Sequence, residues 1–125
     1  MSIPTDRKYT RDHEWLLTDG ATGRVGVTAY AADSLGDVVY VDLPDVGSQI
    51  TAGEPCGEIE STKSVSDLVA PVSGQVTAVN ADVVEAPESV SADPWSAWLY
   101  EVIFDDDSEL ITADEYREFV EGLDA

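Results

Sequence analysis

From residue 15 to residue 104, glycine or proline cuts the chain at short intervals, and the pieces between the cuts are short runs rich in Val, Ile, Thr and aromatic residues. Glycine and proline punctuate turns, whereas β-branched and aromatic side chains suit a pleated, half-buried surface. Such a pattern predicts a β-rich domain of short strands joined by tight turns. No low-complexity linker divides it, and 125 residues are enough for one domain over 1–125 that buries roughly two thirds of its unfolded surface.

Individual elements follow from local chemistry. Trp15-Leu16-Leu17 and Arg24-Val25-Gly26-Val27 flank Asp19-Gly20-Ala21-Thr22-Gly23, which predicts a hairpin. Thr28 is placed to cap a short helix over 29–35, with Gly36 ending it in the left-handed region. In Val38-Val39-Tyr40-Val41-Asp42-Leu43, alternation predicts a strand with Val39, Val41 and Leu43 on one face, stopped by Pro44 and followed by a turn at Val46-Gly47-Ser48. Further strands are expected at 56–60, 65–69, 75–79 and 98–104, with Pro71 and Gly74 between two of them. Thr112-Ala113-Asp114-Glu115 has the form of a capping box, and Tyr116, Phe119, Val120 and Leu123 make a helical stripe, predicting a helix near 113–122 that covers the β core.

The chain carries 26 acidic against six basic residues, a formal charge of -20. Phosphate backbones and anionic lipid surfaces repel such a chain, so neither nucleic acid nor membrane is an expected partner. With 43% apolar residues and ten aromatics the composition is nevertheless that of a folded protein. The acids are spread along the chain, as on a solvated surface adapted to high salt, and a monomer is expected. Cys56 is alone and reads as a small apolar side chain, the first residues show no apolar leader, and no run reaches the roughly 18 apolar residues of a membrane span. A cytoplasmic location is expected.

The stretch from Gly53 to Gly74 is nearly symmetrical about Lys63: two apolar strands flank a tip of Ser61, Thr62, Lys63 and Ser64. A hairpin here pushes Lys63 outward with only small neighbours, which is the exposure an acylating enzyme needs to surround the amine. Lys63 is one of two lysines in the chain, the other being Lys8.

Glu60-Ser-Thr-Lys63-Ser-Val-Ser-Asp67, followed by Ala70-Pro71-Val72-Ser73-Gly74, resembles the lipoyl attachment hairpin. His13-Glu14-Trp15, Gly26-Val27-Thr28-Ala29-Tyr30-Ala31 and Leu35-Gly36-Asp37-Val38-Val39-Tyr40-Val41-Asp42-Leu43-Pro44 extend the likeness, in wording and order, to the H proteins of the glycine cleavage system over about residues 9–120. Ala29 departs from the family's usual Asp, and 91–99 is a loose version of a family segment in which Ala97 replaces a Gly. The resemblance implies a barrel-sandwich hybrid fold and a carrier that is not itself a catalyst. It implies lipoic acid joined by an amide to Lys63, with Glu14 and Asp67 lining a cleft for the loaded arm and Glu60 recognised by the modifying enzyme. The implied partners are glycine decarboxylase, aminomethyltransferase, dihydrolipoyl dehydrogenase, and a lipoate ligase or lipoyl/octanoyl transferase.

Two other readings share the lysine hairpin: another lipoyl or biotinyl carrier domain, and an unmodified acidic binding or regulatory domain of the same fold. Biotinyl domains usually set Met on both sides of the lysine, where this chain has Thr62 and Ser64. One His and one Cys are too few for a zinc site, and a Cys56 and His13 nucleophile pair lacks electropositive help. Asp105-Asp106-Asp107-Ser108-Glu109 lacks the Gly and final Glu of a calcium loop and reads as a solvated turn.

Overall fold

The computed structural model describes residues 3–124. Among them are nine strands and four short helices: β1 Lys8–Tyr9, β2 Glu14–Asp19, β3 Thr22–Val27, α1 Ala29–Leu35, β4 Val38–Asp42, β5 Gln49–Ile50, β6 Pro55–Ser61, β7 Val65–Val69, β8 Gly74–Val79, α2 Ala81–Glu85, α3 Glu88–Ala92, β9 Tyr100–Phe104 and α4 Ala113–Asp124. A six-stranded antiparallel sheet, in the order β1-β2-β3-β9-β8-β5, faces a three-stranded antiparallel sheet, β4-β6-β7. Leu16, Val25, Val76 and Val102 from the large sheet meet Val41, Ile59 and Leu68 from the small one in a single apolar core. This is the β-rich domain expected from the spacing of glycine and proline, in the sandwich arrangement that the resemblance implies.

Most local expectations hold. Asp19 pairs with Thr22 across a two-residue turn whose first position, Gly20, takes φ 64°, a left-handed value that glycine adopts without steric cost. The Thr28 hydroxyl accepts from the Ala31 amide at the start of α1. At α4 the capping box is complete: Thr112 N–H donates to Glu115 Oε1 at 3.0 Å and Glu115 N–H to Thr112 Oγ1 at 3.2 Å. Tyr116 and Val120 on this helix are buried against Tyr9, Trp15 and Ile111 in a second cluster outside the large sheet.

Three expectations need correction. Strict alternation along β4 fails, because the register with β6 slips between Val38 and Tyr40; this bulge buries Val38 and Val41 and turns both Val39 and Tyr40 outward, at 52% and 50% exposure. Leu123 does not share the buried stripe of α4: it is 49% exposed, whereas Tyr116 and Val120 are buried. The last strand begins at Tyr100, two residues after the expected start, because the Trp98 amide turns back to Ser96 O at 3.0 Å and not to a neighbouring strand. The short elements β1, β5, α2 and α3 carry no periodicity long enough to read. Ala97, despite standing for a Gly, does not have the positive φ that only His13 adopts among the described non-glycine residues.

Glu14 is the only buried acid among the described residues, and the ion pairs Arg7–Asp6, Lys8–Asp107 and Arg24–Glu101 leave most of the others to water. Self-repulsion among exposed carboxylates weakens as the Debye length falls from about 10 Å at 0.1 M salt to about 3 Å at 1 M. The thermal midpoint is therefore expected to rise between those salt concentrations; a midpoint that stays flat in a salt series would show that the surface charge does not oppose folding.

Candidate functional site

The β6–β7 tip is built by a serine. Ser61 N–H donates to Ser64 O at 2.8 Å, while Ser61 Oγ accepts from the amides of Lys63 and Ser64 at 3.3 and 3.1 Å, so the turn's polar groups are satisfied without any bulky side chain. A further bond, Thr62 N–H to Asp37 O at 3.1 Å, pins the tip to the junction of α1 and β4. Lys63 is exposed, as the symmetry of the hairpin predicts, but its stem does not stand free: a Cβ built at Gly36 would lie 3.1 Å from Lys63 Cε. Gly36 ends α1 with φ 82° and ψ −142°, which is outside the left-handed helical region and open mainly to glycine. It is a bed for the lysine stem as well as a helix stop. Ser91 of α3 secures that bed, donating from Oγ to Gly36 O and accepting from Val38 N–H, both at 3.0 Å.

Beside the tip, a cleft of about 330 Å³ opens between the start of β2 with α1 on one side and β7 on the other. Glu14 and Asp67 both line it, together with Asp12, His13, Tyr30, Leu35 and Val65. Glu14 is 2% exposed; its Oε2 accepts from Val69 N–H at 2.8 Å, and its Oε1 is buried with no partner. Burial pushes its carboxyl well above the usual carboxylate range, the Val69 amide pulls the other way, and the charge of Asp12 adds a smaller push upward. Asp67 is exposed, opposite Glu58 on β6. Glu60 is half-buried on β6 between Tyr40 and Val65 and is not among the residues lining the cleft.

His13 holds an unusual place. With φ 66° it turns the chain into β2, its Nδ1 is 2.8 Å from Tyr116 Oη, and its ring stacks on Tyr30 at 4.5 Å. Tyr116 Oη lies in turn 2.7 Å from Thr28 Oγ1. Burial lowers the pKa of the imidazole. The ring thus ties α4 to the cleft wall while also forming part of that wall. Cys56 sits elsewhere, its Sγ 3.5 Å from Tyr100 Oη, with burial pushing the thiol pKa up. No cluster of three metal-ligating side chains occurs among the described residues. Sequence reasoning missed Ser91 altogether and saw Gly36 only as a helix stop; neither carries a signal without knowledge of what crosses above it.

Two antiparallel sheets closed as a barrel-sandwich, with an accessible lysine at a hairpin tip, define a lipoyl-domain-like carrier fold. Residues 7–122 match the family described as Glycine cleavage H-protein, and the chain belongs to that family, whose members carry covalently attached lipoate. The glycine cleavage system H protein of Beutenbergia cavernae is 56% identical over 123 residues, covering 98% of this chain and 99% of that one. That of Streptomyces coelicolor is 52% identical over 122 residues, covering 95% and 98%. The crystal structure of a glycine cleavage system H protein from Mycobacterium marinum superposes with a TM-score of 0.87 at 50% identity, covering 93% of this chain and 97% of that one. The residues fit such a group: the amine is exposed, no ion pair holds it among the described residues, and the adjoining cleft joins apolar walls to a buried carboxyl with one unpartnered oxygen.

The pKa of Glu14 implies a definite pH dependence. Below the unfolded value near 4.5 both states are protonated and the group costs nothing. As pH rises past it, the unfolded chain releases its proton while the folded chain keeps it, so stability falls until the folded pKa is passed. Glu14→Gln removes this loss and keeps an oxygen for Val69, so its stability relative to the parent protein is expected to improve from pH 4.5 to pH 8 in urea melts. A difference independent of pH would mean that Glu14 ionises normally in the folded state.

Proposed function

We propose that Lys63 bears the lipoyl group through an amide, and that the chain carries the aminomethyl group of glycine from glycine decarboxylase to aminomethyltransferase, with dihydrolipoyl dehydrogenase restoring the oxidised arm. The observation that carries this reading is the contrast between the two lysines. Lys8 is spent on Asp107 at 3.1 Å, whereas Lys63 stands at a tip whose every near neighbour is small. The attached group supplies the disulfide on which the cargo is taken up and later reoxidised by thiol exchange. The chain's own residues hold and present it. Gly36 supports the stem, the Ser61 turn keeps the amine clear for a lipoate ligase or a lipoyl/octanoyl transferase, and Glu60 beside the tip is read as a contact for that enzyme.

Tethering raises the effective concentration of the cargo at each docked partner without a separate binding step. Between partners the loaded arm lies in the cleft, where its ammonium group meets the Asp67 carboxylate and the Glu14 carboxyl, whose ionised form a cation beside Oε1 favours. Glu14 is the stronger partner of the two, because the unpartnered Oε1 of a buried carboxyl gains more from a cation than an exposed carboxylate does. In this reading the protein is a carrier and not a catalyst, works in the cytoplasm as a monomer, and wears its acidic surface as an adaptation to salt.

Intact mass of protein purified from its native host is expected to show one added lipoyl group, lost in Lys63→Ala; a bare mass, or the different mass of biotin, would overturn the assignment. In isolated loaded protein, Glu14→Gln and Asp67→Asn are expected to speed loss of the aminomethyl group, the first by more. Release at the parent rate in both would remove the cleft from the reading.

A further inference from the structure

His13 lines the cleft, and its Nδ1 ends a hydrogen-bond chain that starts at the cap of α1 and passes through Tyr116 of α4. Burial fixes the direction of that chain. Thr28 is wholly buried and its Oγ1 already accepts from the Ala31 amide at 3.3 Å, so among the described residues its hydroxyl hydrogen has only Tyr116 Oη, 2.7 Å away, to donate to. Tyr116 is wholly buried as well, and burial pushes its pKa up to about 12, so the phenol keeps its own hydrogen. The remaining acceptor for that hydrogen is His13 Nδ1 at 2.8 Å. Run the other way, the chain would strand the Thr28 hydrogen in a dry site, at the cost of an unmade buried hydrogen bond. Nδ1 therefore accepts, and the imidazole is the neutral tautomer with its proton on Nε2.

The ring's surroundings pull the other way. Asp12 on its own loop, Glu14 on β2 and Asp67 on β7 line the same cleft, as does Tyr30 of α1, on which the imidazole stacks. From α4 the ring meets Tyr116 and Phe119, and Arg11 lies over Phe119. The charge of Asp12 draws the imidazole pKa upward, against the larger downward effect of burial. A donor already seated on Nδ1 adds to the resistance, because a proton arriving there would displace the Tyr116 hydrogen, which has no second acceptor among the described residues. Neutrality matters at this wall. A histidinium would set a second positive charge in the cleft that is read as receiving an ammonium group.

We infer that Tyr116 is a positioning residue of the cleft: through its hydroxyl it holds His13 neutral, so that a site for a cation does not acquire one of its own. The inference rests on the reading that the cleft receives the loaded arm. It gives α4, none of whose residues lines the cleft, a part in keeping the cargo.

His13 is the only histidine in the sequence, so protein labelled with 15N-histidine gives the signals of a single imidazole. At about pH 7 the expected spectrum is that of the neutral ring protonated at Nε2, and Tyr116→Phe is expected to raise the His13 pKa. In isolated loaded protein, the rate of aminomethyl loss in Tyr116→Phe is divided by the parent rate, which removes the titration of the cargo itself. This ratio is expected to stay near one well above the variant's measured His13 pKa. Below that pKa it is expected to reach at least about threefold, since two cations a few ångströms apart repel by more than that at the effective dielectric of a protein surface. Val120→Ala loosens α4 and leaves the hydroxyl chain in place, so its ratio is expected not to change with pH. The inference is overturned by a parent ring that is charged or protonated at Nδ1 at about pH 7, or by a His13 pKa unchanged in Tyr116→Phe. A pH-independent ratio for that variant, or the same pH-dependent ratio in Val120→Ala, also overturns it. Those results leave the cleft reading standing so long as Glu14→Gln and Asp67→Asn speed the loss, whereas release at the parent rate in both removes the cleft reading and this inference with it.

Discussion

The small three-stranded sheet buries its inner face against the larger sheet, and the site follows from the way β4, β6 and β7 share that core. Val41, Ile59 and Leu68 can be dry only if they meet Leu16, Val25, Val76 and Val102, and that closure sets how far the β6–β7 hairpin runs past the core. The hairpin overshoots it. Its tip crosses the end of α1, where the only backbone that lets a lysine stem lie flat belongs to Gly36. Accessibility of the amine and firmness of its base thus have the same origin: strands anchored by burial and ended by a turn whose polar groups are satisfied by Ser61.

Placing a carboxyl where Glu14 sits opposes folding at neutral pH, since burial disfavours its charge and only Val69 N–H answers it directly. Such groups concentrate where a ligand supplies the missing partner. The same environment that makes the empty cleft costly makes a cation in it rewarding. In the proposed reading, stability and carriage pull against each other at this single side chain, whereas Asp67, left in water on the opposite wall, bears no such desolvation cost.

Much of this was legible in the residues, for reasons that are themselves physical. The first hairpin and the starts of α1 and α4 are signalled by short-range chemistry, namely a turn glycine, a threonine cap and a reciprocal Thr112–Glu115 box, and each of these formed as expected. Lys63 could be singled out because small flanking residues are visible in one dimension. Val39 was misplaced because a bulge is a property of two strands, and nothing within β4 alone announces that β6 will slip against it. Ser91 and the bed at Gly36 were hidden for a related reason. Their partners are 55 and 27 positions away, and no local pattern links them. The contacts of His13 with Tyr30 and Tyr116 belong to the same class.

Both outer strands of the small sheet have an amide accepted by a side chain from elsewhere. On β4, Val38 N–H donates to Ser91 Oγ; on β7, Val69 N–H donates to Glu14 Oε2. An open strand edge is a template on which a neighbouring molecule can add a strand, the first step toward aggregates. With one margin kinked by its bulge and both margins occupied at these points, the small sheet offers little for a second copy to zip onto, so crowding should leave this protein dispersed.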